Sequence, residues 1–342
     1  MEASANYQQV TTRNLQQWAL SAASQFHNFP FKASNSWIAK FKKQHKIKQQ
    51  EITKYVSAKE TATIDEILAA ADIFRKQTMK LIPNFHKDFI ININQTECQY
   101  QSTCDRALYM QEAKAIFVQR QRINRICHSY TAQYAITMSG KLLPRVFICL
   151  QEATEFLKEM LAPYVRQGKF LLLIDSWDGQ TNPALYDKIF LDDDGIGTCT
   201  IKVIPSKCTS LCQPCDVYFY RQVKNLIKRL QNCSFLIEQK REITSREDCI
   251  KIHAIVHHQL SAPIFENMLR YAWFASKLTD KREIFMNVNE VCFPLDILKQ
   301  PCNCKNATFI RCARCRANYC FACFYDKYHP TMCIISSAST NE

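Results

Sequence analysis

The spacing of apolar residues along this chain changes twice. In LQQWALSAASQF, Leu15, Trp18, Ala22 and Phe26 recur at near-helical intervals until FHNFPF breaks the pattern at Pro30. Ser34 is placed to cap a second helix that buries Trp37, Ile38 and Phe41 and turns its lysines outward. Ile64, Ile67, Leu68, Ala71 and Phe74 predict a third amphipathic helix over 61–81, ended by Pro83. From residue 89 the runs read as buried strands: FIININ, YAITMSGKLLPRVFICL with Gly140 near a hairpin turn, FLLLID and TCTIKVIP. EATEFLKEMLAPYV and VYFYRQVKNLIKRLQ are helical patterns between and after them. This order predicts a mixed α/β sheet with helices on its faces.

Charge and cysteine content narrow the class. The 342 residues carry a formal net charge of +13, which suggests a polyanionic partner, nucleic acid before a membrane surface. WIAKFKKQHKIK concentrates Lys40, Lys42, Lys43, Lys46 and Lys48 with no acid. No run approaches the ~18 apolar residues of a membrane span, and MEASANYQQVTTRN has no apolar export segment. The eighteen cysteines are therefore expected in a reducing compartment, where a cluster means metal before disulfide.

The cluster lies in PCNCKNATFIRCARCRANYCFACFYDKYHPTMC. Cys302 and Cys304, Cys312 and Cys315, Cys320 and Cys323, and His329 and Cys333 form four ligand pairs, the number two tetrahedral Zn²⁺ sites require. So short a segment is expected to need the metal in order to fold. Interleaved pairing, 302/304 with 320/323 and 312/315 with 329/333, would make a cross-brace; sequential pairing is the alternative, and spacing does not choose.

Two carboxylates stand where open α/β sheets place ligand groups: Asp175 at the end of FLLLID, and Asp216 at the start of a helix with an apolar face of Val217, Tyr220, Val223, Ile227 and Leu230. Each is equally readable as a helix cap or turn residue. His253 and His257 share a helix face, where packing is favoured over metal binding. Cys212 and Cys215 have redox or zinc spacing, but are better read as small buried residues.

INQTECQY, LLLIDSWDGQT and IPSKCTSLCQPCDVYFYRQVK together resemble the three motif regions of DDE transposases of the pogo/Tigger/Jerky type. WALSAASQF…FKASNSWIAKFKKQHKIKQQEITKYVS is similar to the second half of a centromere-protein-B-type helix-turn-helix. The resemblance implies an RNase H-like fold in which three acids hold two Mg²⁺ or Mn²⁺ ions. Asp175 matches the second acid and Asp216 the third, while Asn94 stands at the first, which implies an impaired site. Glu97 is a poor replacement, because residues i and i+3 of a strand face opposite sides. Gln180 stands where relatives commonly have histidine. Double-stranded DNA is the implied partner, through Ser34, Asn35, Ser36, Lys40, Lys42, Lys43, Lys46, Lys48 and Lys54, and the nucleus the implied location. The family normally has a preceding helix-turn-helix, which this chain begins too late to contain.

The expected organisation is a helix-turn-helix at 10–58, a helical linker at 59–85, an RNase H-like domain at 86–235, a helical segment at 236–298, a two-zinc finger at 299–335 and a disordered tail at 336–342. Two other functions compete with DNA binding: an active Mg²⁺-dependent nuclease using a replacement acid, and a protein-interaction factor working through the zinc finger.

Overall fold

A computed structural model describes residues 12–26, 31–47, 58–99, 129–148, 153–236 and 243–338. The chain divides into two compact units, Met1–Ile67 and Leu68–Glu342.

The first unit contains helices α1 (Thr12–Ala23) and α2 (Asn35–Gln44). Ser34 caps α2 as its sequence predicts, its hydroxyl accepting the Trp37 N–H at 3.2 Å. Phe31 meets Trp37 edge-on, and Trp37 stacks on Phe41. Two expectations are corrected here. Trp37 and Phe41 are only half-buried, because two short helices share one narrow seam, and within it only Ile38 is buried among the described residues; Trp18 and Phe26 are 50% and 67% exposed. Lys42 does not turn outward: its ammonium reaches back to the Thr12 hydroxyl at 2.5 Å. Helix α3 (Ala58–Leu81) contains the boundary between the units; its Ala71 and Phe74 are buried as expected, whereas Leu68 is exposed.

The second unit is built on a five-stranded mixed sheet of order β3-β2-β1-β4-β5. The strands are β1 (Ile90–Gln99), β2 (Ser129–Thr137), β3 (Phe147–Ile148), β4 (Phe170–Ile174) and β5 (Cys199–Val203). Strands β1, β4 and β5 run parallel, and β2 is antiparallel to β1. Every residue of β4 is buried, as an unbroken FLLLI run inside a two-faced sheet requires. Ile91, Ile93, Leu172 and Ile174 pack on one face against Phe156, Leu157, Met160 and Leu161.

The opposite face of the sheet is covered by α4 (Tyr220–Leu236), α5 (Arg246–Leu260) and α6 (Glu266–Ala275). The C-terminal cysteine segment joins that same core: Ile310, Cys312, Phe321, Phe324 and Tyr325 cluster with Ile252, Ile255 and Val256 of α5. Tyr325 donates to Asp248 at 2.8 Å, and the Lys251 ammonium lies over its ring. The segment thus has apolar partners outside itself, and about half a dozen buried aromatic and aliphatic side chains contribute roughly 1.5–3 kcal/mol each. The segments delimited as 86–235, 236–298 and 299–335 thus share one core. Helix α7 (His329–Ala338) continues into the stretch expected to be disordered.

Candidate functional site

Strand β1 does not end at Asn94. It continues to Gln99 because QTEC pairs with β2, Asn94 opposite Tyr134 and Glu97 opposite Thr131. What ends there is the parallel neighbour. Ile90 pairs with Leu171 and Asn92 with Leu173, an offset of 81 in each case (171 − 90 and 173 − 92), so Asn94 falls level with Asp175, just past the end of β4. Burial alternates along this half of β1: Asn92, Asn94, Thr96 and Cys98 are buried, while Glu97 and Gln99 are exposed. Glu97 therefore faces away from Asn94, as the strand period demands.

Asp216 is brought to the same place by the turn 213–216. Gln213 donates from Nε2 to the Ile93 carbonyl at 3.2 Å. The Asn92 amide closes the joint from the other side: its Oδ1 accepts the Cys215 N–H at 3.0 Å, and its Nδ2 donates to the Leu173 carbonyl at 3.1 Å. One buried side chain thus ties β1 to β4 and to the turn carrying Asp216. Asn92 was not singled out in the sequence; an asparagine inside an otherwise apolar strand run was the available signal. The Tyr220 hydroxyl adds a further bond, donating to the Asn94 carbonyl.

The three positions Asn94, Asp175 and Asp216 form one electrostatic cluster. Desolvation raises the Asp216 carboxyl above its ordinary range, and the Asp175 charge adds to the rise; hydrogen bonds from Asn94 and Thr209 and the charge of Lys224 oppose it. Asp175 accepts the Ser176 N–H at 2.6 Å. The Asn94 amide oxygen accepts the Gln95 N–H at 2.8 Å. Asp175 and Asp216 offer two anionic oxygen ligands and Asn94 a neutral amide, where a two-Mg²⁺ centre is best served by charged oxygen ligands. Gln180 is buried and takes no part in the cluster; its carbonyl accepts the Tyr186 hydroxyl.

The eight C-terminal ligands gather into two groups, Cys302, Cys304, Cys320 and Cys323, and Cys312, Cys315, His329 and Cys333. Within each, all ligand atoms lie within 4.8 Å of one another. This is the interleaved arrangement that spacing left open. A tetrahedron with metal–sulfur bonds of about 2.3 Å has edges of about 3.8 Å. The observed separations match: Cys304 to Cys320 is 3.5 Å, Cys312 to Cys333 3.9 Å, and Cys315 to His329 Nε2 3.5 Å. The tight turns at the first ligand pair of each group are closed by Lys305 and Arg316 at positive φ, with Lys305 N–H bonding Cys302 O and Arg316 N–H bonding Cys312 O. A hydrogen bond from Cys312 holds the Cys315 thiol below its ordinary range.

Other candidates resolve as packing. His253 is fully buried between the Tyr130 and Tyr134 hydroxyls, at 2.9 and 2.5 Å, and His257 bonds the Leu143 carbonyl. Cys212 and Cys215 are buried thiols aimed at the Cys208 and Asn92 carbonyls, and burial pushes the Cys212 thiol up to about 12.

In the first unit, Lys40, Lys43 and Lys46 are exposed, and Ser34, Asn35 and Ser36 open α2 at the surface. The Ser34 hydroxyl is engaged as the cap, and Asn35 Oδ1 accepts from Gln16 at 3.4 Å. Lys48 and Lys54 lie outside the described residues.

Residues 2–51 match the Tc5 transposase DNA-binding domain family, a span that starts ahead of the expected boundary at residue 10. No curated protein matches the chain. Among solved structures, the Mos1 strand transfer complex is similar at 11% identity over 81% of this chain and 75% of that one, with a TM-score of 0.45. The Mos1 transposase paired-end complex with left transposon end is similar at 10% identity over 82% and 74%, TM-score 0.44. The catalytic domain of Mos1 mariner transposase is similar at 10% identity over 66% and 91%, TM-score 0.34. The family match is confined to the N-terminal segment, residues 2–51 of the 342.

Proposed function

We propose that this protein binds double-stranded DNA through its N-terminal helical unit and carries a DDE centre, on an RNase H-like sheet, that is disarmed at Asn94. The observation that carries the second half is the Asn94 amide, level with Asp175 where the resemblance implies a third carboxylate. Mg²⁺ or Mn²⁺, when bound in such centres, clamps the attacking and leaving oxygens of a phosphoryl transfer. Here Asp175 and Asp216 remain as its anionic ligands, and Asn94 weakens the set by one charge. The exposed Lys40, Lys43 and Lys46 supply phosphate contacts, with Ser36 at the helix start nearest to base edges. The two C-terminal groups are proposed as zinc sites, on the fit of their ligand separations to a tetrahedron. A nuclear location follows from DNA as the partner.

The deciding experiment is nicking of supercoiled DNA in Mn²⁺ by the wild type beside Asn94→Asp. Nicking by the variant alone supports a disarmed centre. Equal nicking by the wild type, abolished by Asp175→Ala, would replace this reading with an active nuclease. DNA binding that is weak and insensitive to salt would favour the protein-interaction reading, because phosphate contacts impose a steep loss of affinity with added salt.

A further inference from the structure

Strand β3 is an edge of the sheet: β2 pairs with it on one side and, among the described residues, no strand pairs with it on the other. Such an edge leaves backbone N–H and C=O groups for another chain to pair with. This one lines a cavity of about 670 Å³. Residues 144–148 share the lining with Ile250, Ala254 and His257 of α5 and with Tyr328 and Pro330 of the cysteine segment. Ile250 is 59% exposed although apolar. None of the lining residues is acidic, and two are arginines. Arg314 is held in place: Nε donates to the His258 carbonyl at 3.1 Å and Nη2 to the Ser261 hydroxyl at 2.9 Å, while Nη1 has no bond among the described residues. Arg145 is exposed, and its ion pair with the exposed Glu159, at 3.7 Å, is open to water.

We propose that this groove docks an extended acidic peptide of a partner protein, which adds to β3 as a further strand. Main-chain bonds to the edge hold it, apolar side chains cover Ile250 and Ala254, and a carboxylate meets Arg145 or Arg314. From Arg145 to Ile148 the edge offers at most roughly 13 Å at ~3.3 Å per residue, the length of a strand of about four residues. The charge of the lining selects this occupant. A second copy of the chain, offering the same edge, would set cation against cation. Duplex DNA would set hydrated phosphates against apolar walls. The inference depends neither on DNA binding by the N-terminal unit nor on any surviving catalysis.

The test begins with selection from a random peptide display library on the full chain purified with zinc. The peptide that emerges is synthesised, and its affinity is measured by fluorescence anisotropy. Selected peptides are expected to carry Asp or Glu beside Val, Ile or Leu. Ile250→Glu and Arg145→Glu should each weaken binding about tenfold. Both side chains are exposed, so both variants should keep the melting temperature of the wild type. N-methylation of successive peptide amides should weaken binding at every second position, because a strand turns alternate N–H groups toward its neighbour. A library that yields no binder overturns the inference, and so do selected peptides without acids. Binding unmoved by Ile250→Glu, or an N-methylation profile without that alternation, overturns it as well.

Discussion

Asn92 Oδ1 accepts the backbone N–H of Cys215, the residue before Asp216, at 3.0 Å inside the core. The position of the third acid is therefore set from β1, two residues before Asn94. Asn92→Leu would leave the Cys215 N–H without a partner and take one of two donors from the Leu173 carbonyl. At roughly 1–3 kcal/mol per buried orphan group, the second unit is expected to lose about 1–3 kcal/mol. Urea unfolding of the wild type and Asn92→Leu checks this; a difference below the cost of one orphan would show that the joint does not depend on Asn92.

Restoring the carboxylate at residue 94 should reverse the sign of a metal effect. Without divalent ions, Asn94→Asp places three carboxylates together, so the variant is expected to melt below the wild type. With Mn²⁺, the added charge should tighten binding more than the ~10–100-fold typical of changes outside the ligand set. Binding to the folded state alone then raises the melting temperature with ion concentration. The readout is melting temperature against Mn²⁺: the variant starts lower and climbs past the wild type. Parallel curves would mean that residue 94 does not face the ion.

The sequence made the strands and the eight clustered cysteine and histidine positions legible because each rests on a local pattern: an unbroken apolar run, or a fixed spacing of paired ligand-type residues. The pairing of the ligands was not legible, since it depends on how the β6 (Ile310–Arg311) and β7 (Asn318–Tyr319) hairpin brings distant turns together. The extent of β1 was hidden for the same reason: QTEC has poor strand character alone and is held by β2, more than thirty residues away. Trp37 and Phe41 fall short of the burial expected because helical periodicity identifies a face without saying how much covers it.

Gln259 should govern how firmly the second ligand group holds its metal. It is fully buried on α5, donates from Nε2 to Cys312 Sγ at 3.4 Å and accepts the Ala313 N–H at 2.6 Å. With zinc bound, that donor supports the Cys312 thiolate. Wild type is expected to release two zinc ions per chain to a chromogenic chelator after thiol modification. In Gln259→Leu one of the two should be lost about 10–100-fold more readily, with the other unchanged. Equal release of both ions would sever the link.

Neighbouring lysines of α2 should behave differently. Lys43 is exposed and is expected to contribute about 0.9 to the salt slope of DNA binding. Lys42 is tied to Thr12, so Lys42→Met should alter that slope less and instead lower the stability of the first unit by about 0.5–1.5 kcal/mol. Binding titrations and melting curves of the two single variants separate the roles; matched slopes would return Lys42 to the DNA-facing set.

The buried imidazole of His253 makes stability fall with acid. Desolvation lowers its folded pKa to about 4 from the usual 6.5, and both ring nitrogens are engaged by tyrosine hydroxyls. Above pH 6.5 the group is neutral whether the chain is folded or not, and pH has no effect through it. Below 6.5 the unfolded chain takes up a proton that the folded one refuses, so stability drops as pH falls and levels off once pH passes about 4. At 1.36 kcal/mol per unit, the loss from pH 6.5 to 5 is about 2 kcal/mol for this one residue. Urea midpoints of wild type and His253→Gln at several pH values isolate it. The variant begins less stable at pH 7, because glutamine cannot span both hydroxyls. The gap should narrow toward pH 5, since only the wild type bears the protonation cost. A gap constant with pH would mean that His253 is protonated within the fold, with a tyrosine oxygen accepting at each nitrogen.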